Sequence, residues 1–141
     1  MSGYIETYRG MVTAWNCDHQ GHMNTVQYYA MFDQAGWHML TRAGYNNERL
    51  RADKRGFVDV RADLAFIDEM IVNDPVVIES GVRKIGNSSL TYHSRMYRGD
   101  GGNPVATATT TTVHFDLEAR AKTPIPDDIR SCFEALLVDE G

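Results

Sequence analysis

Only two cysteines occur in the 141 residues, Cys17 and Cys132, and they form no C-x-x-C pair. That scarcity excludes a disulfide framework and fits reduced thiols in a cytoplasm. No Lys/Arg cluster is present, and the net charge is -5. Nucleic acid and an anionic membrane are therefore excluded as main partners. No apolar run approaches a membrane span, and the opening "MSGYIETYRG" lacks a basic-then-apolar leader. No G-x-G-x-x-G stands at a strand-to-helix turn, so no dinucleotide site is expected.

What is present reads as an ordinary soluble globular chain, 43% hydrophobic and 23% charged. Residues 1–141 read as one domain without a linker. Glu6 to Ala14 reads as a first strand. Asn24 or Thr25 then caps a long helix whose polar stripe is only Gln27, Gln34, His38 and Thr41, with Arg42 at its border. So narrow a stripe predicts a helix buried on most sides. From Phe57 to Phe66, Val58, Val60, Ala62, Leu64 and Phe66 alternate with Asp59, Arg61, Asp63 and Ala65, the period of a half-buried strand. "PVVIESGVRKI", "SSLTYHSRMYR" and "PVATATTTTVHFD" follow, separated by the turn signals "GN" and "GDGGN". A short helix opening at Pro126 or Asp127 closes the chain. Strand, long helix and four hairpin-ordered strands predict an α+β fold, an antiparallel sheet curled around one helix.

The chemistry concentrates in "CDHQGHMN", Cys17 to Asn24. Asp and His are zinc ligands, yet "HQGH" in a tight loop is not a helical H-E-x-x-H, and no fourth ligand accompanies His19 and His22. No metal is expected. Asp18 has the right functional group for a general base or a nucleophile, and also for an Asx turn. Gly21 marks a backbone conformation that other residues resist. Asp33 falls on the apolar side of the helical wheel, where a carboxylate needs a partner.

Asp18-x-x-Gly21-His22-Met23-Asn24, followed by "YYAMFDQA", by Gly56 and by "RKIGNSS", resembles the hot-dog-fold acyl-CoA thioesterases, in the branch that includes 4-hydroxybenzoyl-CoA thioesterase. The likeness runs from about Tyr8 to about Phe133. It implies a curved five-stranded antiparallel sheet wrapped around a long central helix, and a homodimer or homotetramer with active sites at the subunit interface. It implies hydrolysis of an acyl- or aryl-CoA thioester, coenzyme A being part of the substrate and no separate cofactor being needed. Asp18 matches the family's catalytic aspartate, with Asp33 in reserve. Gly56 matches a backbone amide offered to the developing oxyanion. His22, Asn24, Tyr28 and Phe57 are expected near the substrate, with Tyr29 and Phe32 as further lining.

Lys84, Gly86, Asn87, Ser88 and Ser89 match the hairpin laid against coenzyme A, with Arg120 and Lys122 nearby. Asn87 stands where the family pattern has a second basic residue, which weakens a phosphate clamp built from this hairpin alone. A hot-dog hydratase or dehydratase would carry an Asp–His pair in another motif. A non-catalytic acyl-CoA-binding module would have no need of Asp18.

Overall fold

The computed structural model describes residues 3–139. Strand β1 (Ile5–Met11) leads through a single 3-10 turn (Ala14–Asn16) to helix α1 (Thr25–Arg42), then to a short helix α2 (Asn47–Asp53). Strands β2 (Arg55–Phe66), β3 (Pro75–Ile85), β4 (Ser89–Arg98) and β5 (Ala106–Asp116) follow. A two-residue strand β6 (Ala121–Lys122) and helix α3 (Asp127–Glu134) complete the described chain. The sheet is antiparallel in the order β1-β3-β4-β5-β2, with β6 added beside β5. This is the expected hot-dog arrangement. The sixth strand and α2 were not expected, because β6 has only two residues and Leu50 is the one large apolar side chain in "NERLRAD".

Helix α1 lies against the sheet through Tyr28, Met31, Phe32, Ala35, Gly36, Met39 and Leu40, all buried. Their spacing of three and four residues is that of one helical face. They seat two apolar clusters, one with Ile78, Met96 and Ala108, the other with Val82, Leu90, Ile129 and Phe133. Gly36 admits the Tyr92 hydroxyl, which would stand 2.4 Å from an added Cβ.

The expectation of a helix buried on most sides is corrected. Val26, Tyr29 and Trp37 are exposed, Trp37 by 45%, and Asp33 is exposed among them. Part of the apolar surface of α1 is thus left uncovered by its own sheet.

Strand β2 departs from simple alternation for a definite reason. Phe57 is 7% exposed and Leu64 packs against the first cluster, so both face inward although seven residues separate them. A register shift between Asp59 and Arg61 inserts the extra residue. Val60, in that bulge, is 62% exposed. β2 is also an edge strand, so its outer backbone groups have no partner strand within the chain. The uncovered side of α1 and this long edge together form one apolar margin.

Candidate active site

The loop from Cys17 to Asn24 is held by its own backbone. The N–H of Asp18 donates to the His22 carbonyl and that of Gly21 to the Asp18 carbonyl, each at 3.0 Å. Gly21 has φ +85° with open space around it, so its glycine is required by conformation and not by crowding. Cys17 and Met23 form an isolated antiparallel bridge across the loop's base. The Met23 N–H reaches Met70 at 2.7 Å and that of Asn24 reaches Asn16 at 2.9 Å. A polar loop thus becomes a fixed platform.

Asp18 Oδ1 accepts the Gln20 N–H at 2.9 Å, the Asx turn allowed by the sequence. Its second oxygen accepts no hydrogen bond among the described residues, and Asp18 lines a cleft of about 460 Å³. His22, Thr25, Tyr28, Phe66, Asp68 and Glu69 line the same cleft. His22 Nε2 lies 3.0 Å from Glu69 Oε2, joining the Asp18 loop to the β2–β3 connection. Tyr28 forms the floor: its ring meets Phe66 edge-on at 5.3 Å and its hydroxyl donates to the Asp68 carbonyl at 3.3 Å. Burial, chiefly, raises the pKa of that hydroxyl above its ordinary value.

The start of α1 opens on this cleft. Asn24 is the N-cap, its Oδ1 accepting the Val26 N–H at 2.9 Å, while the Gln27 N–H returns to the Asn24 carbonyl at 2.9 Å. Asn24 is therefore a helix brace and does not line the cleft. The N–H of Thr25 finds no acceptor among the described residues, and Thr25 lines the cleft. The sequence signal for this amide is Asn24, the cap that marks where the helix begins.

Gly56 does not serve as expected within its own chain. It lies inside β2 and not before it. The Leu117 N–H donates to Lys54 at 3.1 Å and Gly56 pairs with Phe115, two steps along the same register. Antiparallel alternation then turns the Gly56 N–H toward β5, where the ladder takes it. Ten residues of β2 also separate it from Phe66, about 33 Å of strand.

Phe57 is core, packed edge-on with Tyr45 at 5.1 Å. It also touches a second cavity of about 280 Å³, with Asp33, Trp37, Asp59 and Thr112. Burial, aided by the nearby Asp33 charge and opposed by Thr112, raises the Asp59 pKa. Thr112 Oγ1 is buried without a hydrogen bond of good geometry, so its hold on Asp59 is weak. Asp33 lies in this second cavity, away from the Asp18 cleft, and is not the buried carboxylate expected.

Lys84 lies one residue before the end of β3, and Gly86 to Ser89 turn into β4 with the Gly86 N–H on the Ser89 carbonyl at 2.7 Å. Asn87, Ser88 and Ser89 line a surface cleft of about 440 Å³ with Lys122 and Thr123. This hairpin sits at the end of the sheet where β5 carries Val113, whereas the Asp18 cleft sits where β2 ends at Phe66, opposite Ala106. One chain therefore holds its two candidate half-sites at opposite ends. Among the described residues no three His, Cys, Asp or Glu side chains gather as a metal site.

A family profile described as the thioesterase-like superfamily matches residues 12–133. The chain belongs to the thioesterase-like superfamily. Its class of reaction is thioester hydrolysis. No curated protein matches the sequence.

Among solved structures, it is similar to a gentisyl-coenzyme A thioesterase, with 26% identity, TM-score 0.79, and coverage of 89% of this chain and 98% of the other. A 1,4-dihydroxy-2-naphthoyl-CoA thioesterase from Synechocystis shares 16% identity at TM-score 0.82, covering 92% and 95% of the two chains. A Staphylococcus aureus protein solved in complex with CoA shares 12% identity at TM-score 0.89, covering 100% and 90%. The last two likenesses speak for the fold of this thioesterase-like chain alone.

Proposed function

We propose that this protein hydrolyses acyl- or aryl-CoA thioesters, with Asp18 as the reacting carboxylate and the Thr25 N–H as the oxyanion donor. One observation carries the reading: Asp18 and Thr25, whose helix-start N–H has no acceptor among the described residues, line a single cleft. Asp18 takes a proton from water as the oxygen attacks the thioester carbonyl, or its carboxylate attacks and water later releases the acyl group. In both routes negative charge develops on the carbonyl oxygen, where a fixed amide at the positive end of α1 stabilises it without reorganising. The C–S bond then breaks, the CoA thiolate takes up a proton, and the free acid leaves. Resemblance to CoA-thioester hydrolases and to a fold that holds CoA supports this substrate class.

The complete site needs two chains. Antiparallel pairing of β2 edges about a two-fold axis would bring the hairpin end of one protomer to the Asp18 end of the other. The same pairing would cover Val58, Val60, Val26, Tyr29 and Trp37, which are exposed in one chain. A homodimer, or a pair of dimers, with an interface above about 1,000 Å² follows from this reading.

The direct test follows thiol release from a panel of aliphatic and aromatic acyl-CoAs with a thiol reagent. Turnover on at least one member supports the proposal. No thiol release from any member, by a folded dimer, contradicts it.

A further inference from the structure

The β3–β4 hairpin lacks a second basic residue, yet a guanidinium is bonded to its backbone from another element. Arg130, on α3, donates through Nη2 to the carbonyls of Gly86 and Asn87, each at 2.9 Å. The Ile125 N–H also donates to the Asn87 carbonyl, at 3.0 Å. In a planar trans peptide the N–H points opposite to the C=O. Drawing the carbonyls of 86 and 87 toward α3 therefore turns the N–H groups of Asn87 and Ser88 away from it. Neither N–H finds an acceptor among the described residues. Two adjacent outward amides in a turn form an anion-binding concavity.

The surroundings suit an anion. Lys84, two residues before the turn, and Lys122, on β6, are exposed and without an ion pair among the described residues, on a chain whose net charge is -5. Ser88 and Ser89 line the adjoining cleft with Lys122. Arg130 is itself held by α3, which Asp128 ties to α2 through Arg49 at 2.7 Å.

We infer that Arg130 is a positioning residue that presents the Asn87 and Ser88 amides to a phosphate group of the CoA nucleotide, in place of a second basic residue on the hairpin. The inference rests on the CoA-thioester reading and says how the far end of that substrate is held. The reacting carbonyl lies elsewhere, so Arg130 affects substrate capture and not the chemical step.

The experiment compares thioesters of one acyl group on CoA, on 3′-dephospho-CoA and on pantetheine. Arg130→Met is expected to raise KM for the CoA thioester roughly tenfold, as loss of a charge-assisted contact does, with kcat nearly unchanged. KM for the pantetheine thioester should not move. If the dephospho substrate escapes the penalty, the 3′-phosphate is the group held; if it shares the penalty, the pyrophosphate is. An equal rise for pantetheine, or no rise for CoA, overturns the inference.

A second measurement avoids any folding defect. In the wild-type protein, titration with adenosine 3′,5′-bisphosphate or inorganic pyrophosphate should shift the amide resonances of Asn87 and Ser88. Unshifted amides with both probes overturn the inference. Shifted amides in a protein that hydrolyses no thioester would support this phosphate site while the hydrolase reading fails.

Discussion

The Asn24 side chain takes the Val26 N–H at 2.9 Å and leaves the preceding amide, that of Thr25, without an acceptor among the described residues, on a residue that lines the cleft with Asp18. Thr25 is the first helical residue, a position where proline is well tolerated because its missing N–H costs no intrahelical bond. Asn24, at φ -67° and ψ 142°, already has the extended backbone that a following proline requires. Thr25→Pro is therefore expected to fold with ordinary stability and to lose about a hundredfold or more in kcat, the usual cost of an oxyanion donor. Steady-state kinetics beside a urea melt checks this. Full activity in the proline variant would remove Thr25 from the mechanism.

The His22–Glu69 pair spans the cleft mouth at 3.0 Å, but Glu69 is largely exposed. Exposed pairs contribute about 0.2–1 kcal/mol. His22→Ala and Glu69→Ala should each lower kcat/KM by no more than about fivefold, that energy expressed as a rate ratio. The double variant should lose no more than either single one, because one contact is removed in all three. Fully multiplicative losses would mean that the two side chains act separately.

The apolar margin of β2 and α1 predicts assembly. Val60, 62% exposed in the β2 bulge, should be covered in the dimer. Val60→Lys places an ammonium in that seam and should shift the protein toward monomer at micromolar concentration, with activity falling in proportion. Light scattering and turnover on the same samples decide it. A fully active monomer would contradict the two-chain site.

His114 gives a pH signature. It is 2% exposed, and its Nδ1–H donates to the Pro124 carbonyl at 3.0 Å. Burial lowers its pKa below the ordinary 6.5, so the folded state favours the neutral ring. The unfolded chain then binds the proton more readily, and stability present above about pH 6.5 is lost as pH falls below that value. The urea midpoint should therefore drop between pH 7 and pH 5. His114→Gln should flatten that drop, at some cost at pH 7. An unchanged pH dependence in the variant would assign the drop to other groups.

The strands and the Asp18 loop were legible because their signals are local. β3 runs from Pro75 to Ile85, the span of "PVVIESGVRKI", bounded by the turn residues on either side. Asn24 and Gly21 announce a cap and a positive φ through their own chemistry. Burial of α1 was misread because period alone does not say which chain covers an apolar face. Tyr29 and Trp37 look like core in sequence and face outward in one protomer. The Gly56 assignment failed for a non-local reason. Whether its N–H points inward or outward depends on pairing with Phe115, fifty-nine residues away in a ladder no local pattern encodes. Arg130 escaped notice likewise, since only the folded chain brings α3 to the hairpin.

The account turns on Asp18, whose Oδ1 is held by the Gln20 N–H at 2.9 Å while the side chain lines the cleft. The deciding measurement is kcat of Asp18→Asn on the best acyl-CoA of the panel, with CoA binding and dimer mass recorded on the same preparation. Asparagine keeps the Asx turn and removes the charge. The expected result is a kcat lower by about a hundredfold or more, the range of a lost general base, with CoA affinity and assembly unchanged. Turnover near wild type in a folded Asp18→Asn dimer would contradict the account and move the search for the reacting carboxylate to Asp33 and Asp59.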